Sequence, residues 1–235
     1  FKAIRRSSRF WIRRFTGTRS CTWILRPPRR AECGDRRRGE LLPYNYAGVH
    51  RGAHELAARS TMAFEEARAK VAKLVGANAA EGEEEVVVTG GATAGLNLLA
   101  TAFGNASLGV GRSRQAFCLK PGDEIVVSRA EHHSVLLPFQ ELSYRTGATF
   151  KWIDLTEDGR VRTDNLDEVI TERTKVVAVT HVATPRVPIT QHRPIIKRAH
   201  EVGSIFILDV ASPYRTSRSI STRLMWTSPS GARTR

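Results

Sequence analysis

Cysteine and aromatic residues are scarce in this chain of 235 residues, which holds three cysteines and 7% aromatic residues. Cys21, Cys33 and Cys118 form no C-x-x-C motif and are too few for a disulfide framework, so we expect a reducing compartment. No apolar run approaches the roughly 18 residues that a membrane-spanning helix requires. These absences argue against a disulfide-stabilised secreted domain and against a membrane protein.

Acidic residues are few at both ends of the chain and abundant only in its middle. The whole chain has a formal net charge of +14, but residues 1–40 and 213–235 carry all of the excess and residues 41–212 are close to neutral. A strongly basic protein often binds nucleic acid. Because the basicity lies in two tails without a recognisable motif, we expect no nucleic-acid partner, and a non-enzymatic basic protein that binds nucleic acid is only an alternative.

The pattern of apolar residues predicts three segments: an irregular basic leader at 1–43, a globular part at 44–212 and an irregular basic tail at 213–235. Continuous apolar runs, typical of buried strands, alternate with helical periodicity in the globular part. This alternation predicts an α/β fold, with a mostly parallel sheet and helices on both faces. The predicted strands are 85–89, 124–128, 149–154, 175–180 and 205–209. The predicted helices are 54–75, 92–103, 134–146, 163–170 (capped by Thr163 or Asp164) and 194–202, with an inserted loop at 104–118.

A glycine-containing turn joins a predicted strand to a predicted helix at T-G-G-A-T-A-G, Thr89–Gly95. Exposed main-chain N–H groups and the helix dipole at such a turn can hold a phosphate, and Thr93 can add a hydroxyl donor. An ordinary strand-to-helix turn is the competing interpretation, because the motif is weak by itself.

Two further polar sites follow predicted strands. In E-H-H, Glu131–His133, a histidine could stack on an aromatic ligand or move protons, although a surface loop is the commoner role. The adjacent histidines do not share a face, so we expect no metal site. Asp209 ends I-F-I-L-D and could pair with a protonated ring nitrogen or cap a helix. A phosphate cradle, a stacking ring and a buried carboxylate at three strand ends would together suit pyridoxal 5'-phosphate.

A series of motifs in register closely resembles the Suf-type cysteine desulfurases, which belong to the class V aminotransferase family. The resemblance covers residues 44–212. The motifs are V-H-R-G-A-H (49–54), T-G-G-A-T-A-G-L-N (89–97), L-K-P-G-D-E-I (119–125), A-E-H-H-S (130–134), R-T-G-A (145–148), E-R-T-K-V-V-A-V-T-H-V (172–182) and A-H-E-V-G (199–203).

The resemblance implies the large domain of a fold type I pyridoxal-phosphate enzyme, here incomplete. Such enzymes remove sulfur from L-cysteine, and many from selenocysteine, to give alanine and a persulfide that a sulfur-acceptor protein receives for iron–sulfur cluster assembly. The resemblance further implies a homodimer, as in other members of the family. By resemblance, Gly91, Ala92 and Thr93 hold the cofactor phosphate, and His132 is the catalytic histidine that stacks on the pyridine ring. Asp209 pairs with the pyridinium nitrogen, and His50 and Arg51 lie in a loop near the substrate entrance and the dimer partner.

Several positions depart from the family pattern. The cofactor-contacting Asn of the family is Thr184 here, and the Gly-Ala-Gln that follows the aspartate is Val210, Ala211 and Ser212. No cysteine aligns with the sulfur-accepting one. The Schiff-base lysine should lie about 25 residues after Asp209, where only arginines occur. We therefore expect a desulfurase fragment that is inactive as written; another class V enzyme, kynureninase-like or epimerase-like, is the alternative with the same fold.

Both tails can be interpreted as the right gene read in a shifted frame. Codon degeneracy permits family-like strings in the shifted frame, Y-L-D-S-A-A-T across Cys21–Pro28 and A-H-K across Arg233–Arg235, and the coding DNA would test this. The leader also loosely resembles an organellar transit peptide. We expect a plastid or mitochondrial location if the source is eukaryotic, and a cytoplasmic one otherwise.

Overall fold

The computed structural model describes residues 10–13, 21–25, 47–75, 77, 85–110, 117–181 and 190–211, with the backbone alone for the first two segments. The strands are β1 (Phe10–Arg13), β2 (Cys21–Leu25), β3 (Val86–Thr89), β4 (Glu124–Ser128), β5 (Thr149–Ile153), β6 (Thr174–Thr180) and β7 (Ile205–Val210). The helices are α1 (Glu55–Val75), α2 (Ala92–Ser107), α3 (His133–Thr146), α4 (Leu166–Val169) and α5 (His192–Glu201).

A parallel five-stranded sheet forms the centre, in the order β2-β7-β6-β4-β5. Its three central strands, β7, β6 and β4, consist mostly of β-branched and aliphatic residues and are almost wholly buried, as expected when helices cover a parallel sheet. All five residues of β4 are buried. The predicted α/β class is therefore confirmed, and the carboxyl ends of β4, β6 and β7 meet at one edge of the sheet.

Successive residues of each central strand serve two separate cores. Ile125 and Val127 of β4 pack with α2 and α3, including Leu96 and Phe139. Val126, between them, packs on the opposite face in a core that includes Ile195 of α5. This alternation is the side-chain period of a strand. The helices that carry the polar residues of interest, α2 and α3, are thus fixed to one face of the sheet.

The leader contains two strands that the sequence analysis missed. β1 pairs antiparallel with β3, and β2 pairs parallel with β7, in the register of Ile24 opposite Asp209. Both segments are rich in aromatic and β-branched residues, which favour strands, but each has only four or five residues. The description of 1–43 as irregular is wrong for these nine residues, and the tail after residue 211 lies outside the described residues.

Three helix boundaries also differ from the prediction. α4 spans four residues, Leu166–Val169, rather than 163–170, and its N-cap is Asn165 without a side-chain cap bond. The preceding segment is held in a hairpin by a bridge between Leu155 and Val161, so neither Thr163 nor Asp164 begins a helix. α2 continues to Ser107, which shortens the predicted insertion. α5 begins at His192, since Pro194 is tolerated in a first turn.

Candidate functional site

The turn between β3 and α2 leaves main-chain donors available at the start of a helix. The Thr89 hydroxyl donates to the Gly91 carbonyl at 2.9 Å and fixes the turn. Gly91 is the N-cap without a side-chain cap bond, and no acidic residue occupies the first turn. A Cβ added at Gly90 would meet no atom within 4 Å. The first N–H groups of a helix lack intrahelical partners, so Gly91, Ala92 and Thr93 form a cradle suited to an anion.

His132 begins α3 and caps it with its ring. Its Nδ1 accepts from the Ser134 main-chain N–H at 3.1 Å and lies 2.8 Å from the Ser134 hydroxyl oxygen. Because Nδ1 is an acceptor, a neutral ring carries its proton on Nε2. The cap therefore fixes both the position of the imidazole and the nitrogen from which it can donate.

One cavity brings the predicted phosphate and stacking residues together. It lies between α2 and α3, has a volume of about 560 Å³, and is lined by Thr93 and His132 among others. Asn97, Pro138 and Arg145 also contribute to its walls. The cavity is therefore shared by Thr93 and the ring of His132, whereas Gly91 and Ala92 are not among its lining residues.

Asp209 lies at the end of β7 and is 5% exposed. Burial raises its pKa; a bond from the Ala211 N–H to Oδ1 (2.8 Å) and the nearby His132 work against that rise. Asp209 does not line the cavity itself, although it lies close enough to His132 for the two to interact electrostatically. A buried carboxylate in this position can pair with a cationic group beside the ring of His132.

Glu131 is a half-buried acid whose carboxyl group points away from solvent, and the sequence analysis assigned it no role. Its Oε1 accepts from the Ser128 hydroxyl at 2.5 Å and from the Thr180 main-chain N–H at 2.8 Å. Its Oε2 is buried and has no hydrogen-bond partner in the part of the chain that the structure describes. Burial raises the pKa of Glu131 to about 8. Glu131 thereby links the carboxyl end of β4 to that of β6, a contact between residues 49 positions apart that no sequence motif indicates.

A histidine pair lies behind the same edge of the sheet. His181 Nδ1 lies 3.3 Å from His192 Nε2, and burial lowers the pKa of both rings, to about 4 for His192. The spacing of eleven residues gave no sequence signal. Among the described residues no cluster of three or more potential metal ligands occurs, and the expectation of no metal site stays a prediction.

His50 and Arg51 do not join the cavity. His50 Nε2 lies 2.8 Å from Glu65 Oε1 of α1, and its main-chain N–H donates to the Thr61 hydroxyl at 3.0 Å. His50 adopts a positive φ of 58°, and both side chains are exposed. Their role near a substrate entrance and a dimer partner stays a prediction. Of the departures from the family pattern, Thr184 and Ser212 lie outside the described residues.

The described residues fit the chemistry of pyridoxal 5'-phosphate. The cradle at Gly91–Thr93 suits its phosphate, the ring of His132 suits its flat face, and the buried Asp209 suits its protonated nitrogen. No described helix is long and apolar enough to cross a membrane.

The comparisons with known proteins match this arrangement. The aminotransferase class-V family model matches residues 37–219. A probable cysteine desulfurase of Halalkalibacterium halodurans is 36% identical over 168 residues, covering 72% of this chain and 38% of the relative. A probable cysteine desulfurase of Streptomyces coelicolor is 40% identical over 171 residues, covering 72% and 38%. The chain thus spans about two fifths of the length of these relatives.

Solved structures give the same result. The apo cysteine desulfurase of Thermococcus onnurineus NA1 superposes with a TM-score of 0.61 at 31% identity, covering 74% of this chain and 40% of that one. SspA in complex with cysteine, at 22% identity, shares the fold with a TM-score of 0.62 and covers 78% and 48%. The family depends on pyridoxal 5'-phosphate. On the extent of the family match, together with the parallel sheet and the polar residues at its carboxyl edge, the chain belongs to the class V aminotransferase family.

Proposed function

We propose that residues 47–211 form the coenzyme-binding part of a cysteine desulfurase of the Suf type. The observation that carries this is the convergence of Thr93 and His132 on one cavity, with Asp209 buried beside the histidine. The whole protein would remove sulfur from L-cysteine, and from selenocysteine in some relatives, to leave alanine and a persulfide. The similarity to named desulfurases supports this assignment over a kynureninase-like enzyme or a basic nucleic-acid-binding protein.

Each of these residues would make one distinct contribution to binding the coenzyme. The N–H groups at the start of α2 and the Thr93 hydroxyl would bind the phosphate, because a helix N-terminus favours an anion. His132, held by Ser134, would orient the ring and hold a proton at Nε2, the nitrogen left over by its cap. Asp209 would keep the pyridine nitrogen protonated. When bound, the coenzyme supplies the electron sink for the chemistry at the substrate carbon.

Retention of the coenzyme would be non-covalent in this chain. The last lysine is Lys197, and residues 198–235 contain none. We therefore expect pyridoxal 5'-phosphate to bind reversibly and to be removed by gel filtration, with no alanine formed from L-cysteine. Release of alanine by the purified chain would contradict the expected inactivity.

The test of the site is a fluorescence titration of the purified full chain with pyridoxal 5'-phosphate. Asp209→Asn should raise the Kd about tenfold or more, because a charge-assisted bond is worth about 1.5–3 kcal/mol. Glu157→Gln, at an exposed loop position, is the matched control and should leave the Kd unchanged. If the wild type and Asp209→Asn bound pyridoxal 5'-phosphate with equal affinity, the proposed coenzyme site would be wrong.

We further propose that the whole protein is a homodimer and passes sulfur to an acceptor protein, as the resemblance implies. His50 and Arg51 are the residues that we assign to the entrance at that interface. The compartment, organellar in a eukaryote and cytoplasmic otherwise, stays a prediction.

A further inference from the structure

The two oxygens of the Glu131 carboxyl have very different surroundings. Oε1 accepts two hydrogen bonds, from Ser128 and from the Thr180 main chain. Oε2 is buried and accepts no hydrogen bond from the described residues. Ionisation of the carboxyl would place charge on a buried oxygen without a hydrogen bond from them, and burial of an unpaired charge is costly. A proton on Oε2 removes that cost and keeps both bonds at Oε1.

Thr180 connects Glu131 to Asp209. Its N–H donates to Glu131, and in the ladder between β6 and β7 it lies opposite Asp209. Its hydroxyl also lies 3.5 Å from the Asp209 carbonyl oxygen. The two carboxyl groups are therefore held on either side of the end of β6, one after β4 and one on β7. The charge of Asp209 adds to the rise in the Glu131 pKa.

Among the described residues, three histidines lie beside this pair. His132 follows Glu131 directly in the chain. Its interaction with Asp209 offsets part of the rise that burial causes in the Asp209 pKa. His181 follows Thr180, and its partner His192 lies in α5. Burial lowers the pKa of both His181 and His192, so both rings are neutral at pH 7. None of these three neighbours is a permanent cation that could balance a second negative charge.

We propose that Glu131 and Asp209 act as one unit that carries a single negative charge, with the proton on Glu131 Oε2 and the charge on Asp209. Glu131 is then a positioning residue: a neutral acid that ties β4 to β6 and leaves one carboxylate for one ring cation. The identity of the cation that Asp209 would pair with, the coenzyme's protonated ring nitrogen, rests on the proposed function. The protonation of Glu131 in the free protein is independent of the proposed function.

The first experiment needs no coenzyme. Glutamate and aspartate of the full chain are labelled with ¹³C at the side-chain carboxyl, and Glu131 is identified by the signal that Glu131→Gln removes. We expect Glu131 to titrate near pH 8 in the wild type, and at lower pH in Asp209→Asn, which lacks the neighbouring charge. Glu157→Gln should leave the titration unchanged. Titration of Glu131 below pH 6, or no response to Asp209→Asn, would overturn the proposal.

If Glu131→Gln does not fold, the Glu131 carboxyl signal is assigned instead by NMR correlation to its own backbone amide, and the same two outcomes decide. A merely structural buried acid would not respond to a substitution on another strand that leaves the fold unchanged by circular dichroism.

A second experiment measures protons released when pyridoxal 5'-phosphate binds at pH 8. A ring cation beside Asp209 cancels its charge and lowers the Glu131 pKa, so the wild type should release a fraction of a proton that Glu131→Gln does not. Equal release would contradict the coupling. Absence of binding, with Glu131 still titrating near pH 8, would count against the proposed function and leave the shared proton standing.

Discussion

At the residue scale, Glu124 shows how this fold accommodates a buried charge. Its side chain is 3% exposed and faces Arg173 Nη2 at 2.9 Å and Lys151 Nζ at 3.4 Å. The hydroxyls of Thr171 and Thr174 donate to its Oε2 at 2.7 and 3.1 Å. Burial alone would raise its pKa, but these bonds hold the pKa below its ordinary value. In contrast to Glu131, Glu124 is an ionised acid with donors on both oxygens.

Glu124→Gln should lower the free energy of unfolding by about 1–3 kcal/mol at pH 7, because charged acceptors make the stronger bonds and an amide leaves donors unmatched. Because the folded pKa is depressed, the contribution is present above the ordinary pKa and is lost as pH falls through the folded value. Urea unfolding at pH 7 and pH 3 measures the difference between wild type and variant. A difference that does not shrink at pH 3 would contradict this explanation.

His132 combines two roles that substitution can separate. As an N-cap it accepts from Ser134 through Nδ1, a role that asparagine also performs. His132→Asn should therefore keep the stability of the wild type but weaken binding of pyridoxal 5'-phosphate, since it lacks a ring. His132→Ala should weaken binding and also cost about 1 kcal/mol of stability. Thermal unfolding and a fluorescence titration measure the two effects, and equal stability of both variants would argue against the cap.

At the scale of elements, the end of α3 depends on a close contact. Gly147 has φ 71°, and a Cβ there would lie 2.9 Å from Pro121 Cγ. Gly109, at φ 70°, has no atom within 4 Å of that position. Both alanine variants should lose about 1–2 kcal/mol from the left-handed backbone, and Gly147→Ala should lose more because the proline ring must shift. Chemical denaturation of the pair measures the clash alone, and equal losses would contradict it.

The central elements could be predicted because their sequence pattern and their surroundings agree. Continuous apolar runs gave β4, β6 and β7 to within one residue, since these strands are almost wholly buried. The edge strand β5 was also placed to within one residue, although only its Ile153 is buried. α4 could not be placed from its pattern: Thr163 or Asp164 was expected to cap the helix, whereas the chain becomes helical only at Leu166, after Asn165. β1 and β2 were missed because they are short strands whose partners lie far along the chain.

The residues of the site also divide into those that the local sequence pattern places and those whose properties depend on distant partners. Thr93, His132 and Asp209 stand at strand ends or helix starts, where local pattern places them, and their assigned roles in cofactor binding stay predictions. Glu131 and the pair of His181 and His192 acquire their properties from partners on other strands or helices. Burial and long-range hydrogen bonds create their altered pKa values, and neither is readable from spacing along the chain.

At the scale of the whole molecule, two buried groups give stability opposite dependences on pH. The pKa of His192 is lowered from 6.5 to about 4, so its contribution is present above pH 6.5 and is lost as pH falls toward 4. The pKa of Glu131 is raised from 4.5 to about 8, so its contribution is present below pH 4.5 and is lost as pH rises toward 8.

Single variants should separate these two slopes in the free energy of unfolding. His192→Gln should flatten the loss between pH 6.5 and 4, and Glu131→Gln should flatten the loss between pH 4.5 and 8. Each pKa unit corresponds to about 1.4 kcal/mol. Because the two slopes oppose each other between pH 4.5 and 6.5, each is measured as the difference between wild type and variant in urea unfolding at intervals of half a pH unit. A variant profile parallel to that of the wild type would contradict the corresponding assignment.

The donor from Thr180 to Glu131 belongs to the peptide backbone, which has a consequence for mutational scanning. Alanine or serine at position 180 would retain that amide, so a scan of β6 would report the position as tolerant. Only a change at Glu131, or proline at 180, would break the link. A residue central to joining two strand ends would thus be invisible in the usual library of side-chain truncations, and its importance would be attributed wholly to its partner.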